Sequence, residues 1–296
     1  MNEKLRKIGK RTYCLENVVN IGFYLLNNCD ICLIDSGSSK DYAKIIDKIL
    51  IENNWNLKYI INTHSHADHI GGNNYLQNKY NCEVFSSRLE SYFINIPVLE
   101  PAFMYGASPI KDVMNHVFYA KESVCKDING VEIEGLQVIS LAGHSIDQIG
   151  IVTSDKVCFA GDAYSSTNIV EKYSIQYIYD VGKYIKSLQS LLDSNYDYYI
   201  PAHGMIEKKS SAFNTLEKNL ETCLNVKDII LSIVGKKITI SDLVKKVFEK
   251  YNIKINSVQY HVVLATIKAY LKYLEENEKV VFGYEDNEMF IYKNVI

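Results

Sequence analysis

The chain has 296 residues, of which 47% are hydrophobic and 23% charged, and its formal net charge is −3. These values are typical of a globular protein and argue against a strongly basic surface for nucleic acids or anionic lipids. The first residues, MNEKLRKIGKRTYC, are charged without a following apolar stretch, and no apolar run approaches the roughly 20 residues of a membrane span. We therefore expect a cytoplasmic protein that does not associate with membranes.

The first ninety residues alternate predicted strands and helices, as judged from β-branched apolar runs, helical spacing and turn residues. The predicted strands cover residues 17–28, 30–37, 56–63 and 82–87, and the predicted helices cover 38–54 and 68–80. Ser38 or Ser39 is the expected N-cap of the first helix. This order predicts a layered domain of strands and helices with its site at strand ends.

Residues 91–124 interrupt this alternation. They hold three of the four prolines and several aromatic residues, and they show no regular period. Two interpretations stay open: a packed connection, or a lid, because long irregular segments in compact domains often cover active sites. Predicted strands then resume over residues 131–143, 148–154, 156–164 and 197–204.

The C-terminal part has a different pattern, with three predicted helices before a predicted hairpin. The helices cover residues 214–235, 239–251 and 256–278, and the hairpin strands cover 279–284 and 289–294. This order resembles a winged helix, so we expect a domain over 1–210 and a winged-helix-like domain over 211–296. Residues 206–296 hold 14 lysines against 12 acidic residues, which argues against DNA binding. Structural support, dimerisation or a wall of the substrate channel is the favoured role.

One short loop contains most of the candidate functional residues of the chain. The stretch INTHSHADHIGGNN contains His64, His66, Asp68 and His69, which include three of the seven histidines. A packed core does not tolerate this density of polar groups without partners, whereas zinc is bound by imidazole nitrogen and carboxylate oxygen. We therefore predict a metal site, in which this loop provides two ligands to each of two adjacent ions.

Three further candidates follow predicted strands, each beside a glycine. They are His144 in LAGHS, Asp162 in FAGDA and His203 in PAHG. Glycine permits the sharp turns that direct a side chain inward from a strand end. The threefold repetition of a strand followed by a ligand residue favours a metal site over isolated core histidines.

These motifs, in this order, resemble the metallo-β-lactamase superfamily, and its glyoxalase II-like hydrolase branch in particular, over about residues 12–206. The resemblance implies an α+β fold, an αββα sandwich with a smaller C-terminal domain. The implied ligands serve two metals that share one carboxylate: His64, His66 and His144 at the first, Asp68, His69 and His203 at the second, and Asp162 between them. Asp35 matches a further acidic position of this family. Two explanations are equally good: its side chain supports the site, or it forms a turn before the following helix.

The resemblance implies a hydrolase with two zinc ions per chain, with iron or manganese as alternatives. A pair of metal ions lowers the pKa of a bridging water to about 7, so that hydroxide is present at neutral pH. Asp68 is then the expected catalytic residue, because it orients the hydroxide and carries a proton to the leaving group. The predicted substrate is a small ester, thioester or lactone, whose carbonyl Tyr105 or Tyr164 contacts.

Two other activities stay open. An endoribonuclease acting on single-stranded RNA has a similar domain order, although the acidity of the chain disfavours phosphate binding. A persulfide-type dioxygenase uses much the same ligands around one iron. A true β-lactamase is disfavoured, since enzymes of the three-histidine and cysteine type have a cysteine where Asp162 stands. The expected partner is a small-molecule substrate, nucleic acid is not favoured, and a homodimer is a further hypothesis.

Overall fold

Two β-sheets face each other, and helices cover the outer side of each. The computed structural model describes residues 5–173 and 175–294. Within these residues the first sheet has seven strands in chain order, and the second has five in the order β12-β11-β10-β9-β8. A third sheet of three strands, in the order β13-β15-β14, belongs to the C-terminal part.

The first sheet is built from β1 to β7 and is accompanied by five helices. Its strands are Leu5–Lys7, Thr12–Leu15, Ile21–Leu25, Asp30–Ile34, Asn56–Ile61, Glu83–Ser86 and Cys125–Asp127. The helices α1 to α5 are Lys40–Glu52, Ala67–Ile70, Asn73–Tyr80, Arg88–Asn95 and Leu99–Tyr105. Strands β3 and β4 form the predicted antiparallel hairpin, and β4 to β7 run parallel.

The second sheet and the C-terminal part follow. Strands β8 to β12 are Leu136–Ser140, Ile149–Thr153, Val157–Gly161, Tyr198–Pro201 and Glu207–Lys208, and helices α6 and α7 are Thr167–Lys172 and Val181–Leu192. The C-terminal elements α8, β13, α9, α10, β14 and β15 are Lys209–Val234, Lys237–Thr239, Ile240–Lys250, Ser257–Glu276, Val280–Glu285 and Glu288–Lys293.

Strand β4 shows how the layers are held together. Ile31 and Leu33 pack on one face among the residues of α1, whereas Cys32 and Ile34 pack on the other face between the two sheets. Successive side chains of a strand point to opposite faces, so a continuous apolar run fits a strand that is buried on both sides. The result is the predicted αββα order of layers.

Two sequence predictions need correction. The helix predicted over residues 68–80 is interrupted between α2 and α3 at Gly71 and Gly72, where a Cβ would lie 2.3 Å from the backbone of Ser38 and Ser36, respectively. The interruption therefore lets the loop pack against the end of β4. The strand predicted over 131–143 is also shorter, because regular pairing begins only at Leu136. Ser39, one of the two expected residues, caps α1.

Residues 91–124 pack against helix α10 of the C-terminal part. Met104 and Phe118 belong to one apolar cluster with Val262, and Ser257 Oγ donates a hydrogen bond to Asp112 Oδ2 at 2.8 Å. The segment is thus a packed connection in this structure, and its movement as a lid stays a prediction.

The C-terminal part contains the three helices and the hairpin that the sequence predicts, and β13 adds a third strand. Its apolar core is continuous with that of the second sheet, since Leu188 of α7, Leu216 and Ile230 of α8 and Ile267 of α10 belong to one cluster. The domain boundary at residue 210 and the winged-helix classification stay proposals. No helix among the described residues has both the length and the apolar character needed to span a membrane.

Candidate metal centre

The candidate ligands lie at one edge of the two sheets, where five strands end. Four of the seven candidate ligands, His64, His144, Asp162 and His203, follow β5, β8, β10 and β11 at this edge, and Asp35, which is not a candidate ligand, follows β4 there. The remaining three, His66, Asp68 and His69, come from the loop after β5 and from α2. Because β4 pairs in parallel with β5, and β10 with β11, neighbouring strands deliver their next residues to the same side.

Three imidazole nitrogens meet in the first group. His64 Nε2 lies 3.0 Å from His66 Nδ1, and His66 Nδ1 lies 3.0 Å from His144 Nε2. Ligands held about 2.0–2.1 Å from a tetrahedral zinc ion are about 3.3 Å apart. Both distances are therefore close to the spacing of ligands around one ion, and the ligand atoms of this group all lie within 4.8 Å of one another.

The second group consists of two imidazoles and a carboxylate. Asp68 Oδ2 lies 3.1 Å from His203 Nε2 and 3.8 Å from His69 Nε2. Asp68 and His203 are also the more exposed members of this group, with 38% and 23% of their side-chain surfaces accessible. An incoming molecule would therefore meet the second group on the side of these two residues.

The carboxylate of Asp162 lies between the two groups. Its Oδ1 is 3.6 Å from His69 Nε2, and its Oδ2 is 3.4 Å from His144 Nε2 and 3.6 Å from His203 Nε2. One side chain thus reaches nitrogens of both groups, which is the placement expected for a bridging ligand.

In four of the five candidate histidines, Nδ1, the ring nitrogen that points away from the two groups, contacts an oxygen atom. The contacts are His64 Nδ1 with Thr63 Oγ1 at 3.1 Å, His69 Nδ1 with Asp35 Oδ2 at 2.8 Å, His144 Nδ1 with the Tyr177 carbonyl at 3.1 Å and His203 Nδ1 with the Val18 carbonyl at 2.9 Å. Such contacts fix the tautomer and direct the Nε2 lone pair toward a metal.

Asp35 supports the site through several of these contacts. Its carboxylate accepts hydrogen bonds from Thr63 N at 2.8 Å, from Thr63 Oγ1 at 2.9 Å and from His69 Nδ1. The hydroxyl of Thr63 donates to Asp35, so it accepts from His64. Of the two explanations that the sequence left open, support of the site is the one that the structure favours.

The two groups differ in their charge. Burial, followed by the neighbouring His144, lowers the pKa of His66 to about 3, and burial also lowers the pKa values of His64 and His144. These three imidazoles are therefore neutral at pH 7, the form in which they bind metals.

The second group attracts positive charge. Burial alone would lower the pKa of His69, but the carboxylates of Asp35, Asp68 and Asp162 outweigh it and hold this pKa well above its ordinary value. Asp162 also raises the pKa of His203 to about 9. This excess of carboxylate charge favours a bound cation.

Two buried atoms test whether the residues fit a metal. His69 Nε2 and Asp162 Oδ1 are buried and have no hydrogen-bond partner among the described residues. Buried polar atoms in proteins are almost always hydrogen-bonded, so these two atoms, which face each other at 3.6 Å, are placed to share a cation. Imidazole nitrogen and carboxylate oxygen are also the donors that zinc takes, and the set therefore fits a divalent cation.

The sequence profile of the Metallo-beta-lactamase superfamily matches residues 18–203, a range that includes all seven of these side chains. The chain belongs to the metallo-beta-lactamase superfamily. Membership of this superfamily, which the motifs predicted, is thereby confirmed, and divalent metal binding at the site accords with it.

Several relatives of this superfamily member carry names that describe activities. It is 28% identical over 131 residues to the hydroxyacylglutathione hydrolase GloC of Haemophilus influenzae, a match that covers 44% of this chain and 59% of the relative. It is 24% identical over 230 residues to an atrochrysone carboxyl ACP thioesterase of Pseudocercospora fijiensis, covering 70% of this chain and 60% of the relative. The chain thus spans about three fifths of the length of these relatives.

A solved structure shares the fold over nearly the whole chain. The beta-lactamase domain protein from Burkholderia ambifaria has a TM-score of 0.72 at 16% identity, and the match covers 99% of this chain and 94% of that one. The likeness confirms the metallo-beta-lactamase fold. Because it covers almost every residue, it also includes the extra C-terminal helices and small sheet.

Sequence reasoning missed Glu90, which is fully buried on α4. Its Oε2 accepts hydrogen bonds from Ser65 N at 2.9 Å and Ser65 Oγ at 2.6 Å, and its Oε1 accepts from Ser145 Oγ at 2.5 Å and Asp147 N at 2.9 Å. Ser65 lies between His64 and His66, and Ser145 follows His144. Glu90 therefore joins the two loops that carry the first group of ligands, although no local pattern marks it.

A second buried carboxylate comes from the 91–124 segment. Glu100 Oε1 lies 3.6 Å from His66 Nε2, the ring nitrogen that faces away from the ligand group. Burial, with a smaller contribution from Glu90, raises the pKa of Glu100 to about 8. The 91–124 segment thus covers His66 and also places the carboxyl group of Glu100 beside the ring nitrogen of His66 that faces away from the other candidate ligands.

The two tyrosines predicted to contact substrate lie in different surroundings. Tyr105 lines a cavity beside the site, and its ring centroid is 5.0 Å from that of His261. Tyr164, in contrast, is fully buried in the core with Tyr199 and Leu216, so it has no surface for a substrate. We therefore keep only Tyr105 as a substrate-contact candidate.

A prediction concerns Gly143, which precedes His144. Its φ is +133°, and a Cβ there would lie 2.2 Å from the backbone nitrogen of Tyr184. We expect Gly143→Ala to lower the free energy of unfolding by about 3 kcal/mol, because it combines backbone strain with a clash against α7. Denaturant unfolding measures the loss.

Gly106→Ala is the matched control, because Gly106 also has a positive φ but no atom within 4 Å of its added Cβ. It should cost about 1 kcal/mol from strain alone. If both variants lose the same free energy of unfolding, the contact between residue 143 and helix α7 contributes nothing to the loss.

Proposed function

We propose that the chain is a hydrolase that uses two zinc ions to cleave a small ester, thioester or lactone. The observation that supports this proposal is the convergence of seven nitrogen and oxygen donors into two groups, with Asp162 between them. The names of the relatives add support, since one is a hydrolase of hydroxyacylglutathione and another is a thioesterase. Both names describe transfer of an acyl group to water.

Bound in these groups, two divalent ions would polarise a substrate carbonyl and make hydroxide available from water at neutral pH. The protein residues provide the rest. Asp68 is the most exposed of the seven donors, and its Oδ2 lies beside His203. Its carboxylate is therefore placed to hold the attacking water by a hydrogen bond and to pass a proton to the departing oxygen or sulfur.

The fold also positions these groups before substrate arrives. Asp35, Glu90 and the carbonyl groups of Tyr177 and Val18 hold the ligand loops through hydrogen bonds that involve no metal. Preorganised polar groups do not have to reorient during the reaction, which is a main source of catalysis in such sites.

Metal analysis and metal removal test the proposal. We expect about two zinc ions per chain in protein purified without added metal, and loss of thioester, ester or lactone hydrolysis after dialysis against a chelator. Adding zinc back should restore the rate. A rate that survives removal of all metal would contradict the proposal, because the donor groups would then have no part in it.

The same measurements separate the alternatives. One iron per chain with consumption of dioxygen would favour the dioxygenase. Manganese in place of zinc would change the identity of the metal and leave the proposed hydrolysis unchanged. For RNA cleavage, the candidate phosphate contacts are Lys208, Lys209, Lys236 and Lys237. Lys209 donates a hydrogen bond to Asn195 and Lys237 is paired with Glu285, so two of these four lysines are already engaged. Chelator-sensitive cleavage of single-stranded RNA, without ester or thioester hydrolysis, would favour the endoribonuclease instead.

A further inference from the structure

The loop that carries His203 is held by a residue from the beginning of the chain. Asn20 directly precedes β3, and only 4% of its surface is accessible. Its Nδ2 donates one hydrogen bond to the carbonyl of Pro201 and another to the carbonyl of Gly204, both at 2.8 Å. Its backbone N–H donates a third hydrogen bond, to the carbonyl of Ala202 at 2.8 Å. Asn20 therefore binds carbonyl groups on both sides of His203 in the chain.

The side-chain amide of Asn20 acts here through its N–H groups. A primary amide has two N–H donors, and Asn20 gives one to each of two carbonyl groups. Its Oδ1 is buried and has no hydrogen-bond partner among the described residues. A buried oxygen without a partner costs free energy, and a side chain that only filled this space would not incur that cost. The amide is therefore best explained by the loop that its nitrogen holds.

Further contacts fix the ring and the backbone of His203. The carbonyl oxygen of Val18, two residues before Asn20, lies 2.9 Å from His203 Nδ1. The backbone N–H of Ser166 donates a hydrogen bond to the His203 carbonyl at 3.1 Å. Gly204 has a φ of +148°, and a Cβ there would lie 2.7 Å from the Cβ of Ser166. His203 is thus held between two segments that are distant in sequence.

The first group of candidate ligands has a separate support. Its two loops are joined by Glu90, which accepts hydrogen bonds from Ser65 and Ser145. None of the hydrogen bonds that Asn20 forms with the described residues reaches these loops. Loss of the Asn20 contacts should therefore affect the second group alone.

We infer that Asn20 is a positioning residue for the second metal ion, because it holds residues 201–204 so that His203 Nε2 lies 3.1 Å from Asp68 Oδ2. The inference rests on the proposed binding of two ions and adds to it a residue on which only one of them depends. A loop that is already ordered binds an ion more tightly, since less conformational freedom is lost on binding.

Asn20→Asp tests this inference. Aspartate has nearly the same shape, but it places a carboxylate oxygen, instead of two N–H donors, against the carbonyls of Pro201 and Gly204. We expect the zinc affinity of one ion to fall about tenfold and that of the other to stay the same, as measured by competition with a chromophoric chelator. Asn28→Asp is the matched control, because Asn28 is exposed in the turn between β3 and β4 and belongs to neither group of candidate ligands. It should leave both affinities unaltered.

¹¹³Cd NMR of the cadmium-loaded protein identifies the ion that is affected. We expect two signals, and Asp68→Asn identifies the signal of the second group because it changes a donor of that group. Asn20→Asp should shift or weaken this same signal and leave the other one in place. A change in the other signal alone, an equal effect on both signals, or an unaltered zinc affinity would overturn the inference.

Asn20→Ser is the second variant, for the case in which the buried charge of Asn20→Asp prevents folding. It removes the bridge between the two carbonyl groups without adding a charge, and it should show the same selective loss of zinc affinity. None of these measurements uses hydrolysis. Selective loss of one ion in protein that hydrolyses no ester, thioester or lactone would support the inference while the proposed function fails. Hydrolysis with two ions whose binding is unaltered in both Asn20 variants would overturn the inference and leave the proposed function standing.

Discussion

Asp162→Asn is expected to lower the metal content from two ions to one and to reduce hydrolysis at least ~10-fold. The asparagine has nearly the same shape, so the fold should be preserved. It removes the negative charge that lies between His69, His144 and His203, and its amide group can no longer share two oxygens between the two ligand groups. Metal analysis of the purified variant and steady-state rates at saturating zinc measure the two effects.

Asp193→Asn serves as the control, because Asp193 is exposed and belongs to neither group of candidate ligands. It makes the same chemical change and should leave both the metal content and the rate unaltered. Asp68→Asn offers a second comparison, since Asp68 belongs to the second group and contacts His203 and His69 within it. Two ions per chain and an unchanged rate in Asp162→Asn would refute the bridging assignment.

Glu90→Gln should weaken metal binding at the first group of candidate ligands by about 10-fold, because Glu90 holds the two loops that carry these ligands through Ser65, Ser145 and Asp147. Each Glu90 oxygen accepts a hydrogen bond from a backbone N–H, that of Ser65 or that of Asp147. A glutamine amide places an N–H against one of these donors whichever way it is turned. The unfavourable contact should also lower the free energy of unfolding by about 1–3 kcal/mol.

Competition with a chromophoric chelator measures the zinc affinity of Glu90→Gln, and denaturant unfolding measures its stability. Glu132→Gln is the matched control, because Glu132 is exposed and should show neither effect. Activity that recovers at high zinc concentration would identify Glu90 as a positioning residue for the ligands. A variant that is less stable but binds zinc with unchanged affinity would restrict Glu90 to a structural role.

The convergence of the seven candidate ligands could be predicted from sequence because it depends on local order along the chain. His64 follows a buried strand, and His144, Asp162 and His203 each follow another. Parallel pairing of neighbouring strands then brings such residues to one edge with little further information. Glycines beside them, such as Gly143, indicate where the backbone must turn sharply.

The residues behind the ligands could not be predicted in the same way. Glu90 is 25 residues from Ser65 and 55 residues from Ser145 in the chain, and it belongs to a short helix whose pattern shows nothing unusual. The break between α2 and α3 likewise depends on the approach of Gly71 to Ser38. Tyr164 carries the same aromatic ring as Tyr105, yet the core buries it completely.

The sequence by itself determined the superfamily, because its motifs are runs of neighbouring residues that follow predicted strands, and through that resemblance it implied the order of the layers and seven candidate donor side chains. Only the tertiary structure decided which carboxylates support the ligands and which tyrosine faces a cavity. It also decided that helix α10 of the C-terminal part lines the cavity that Tyr105 faces. These features depend on contacts between distant segments, whose partners are selected by packing in three dimensions.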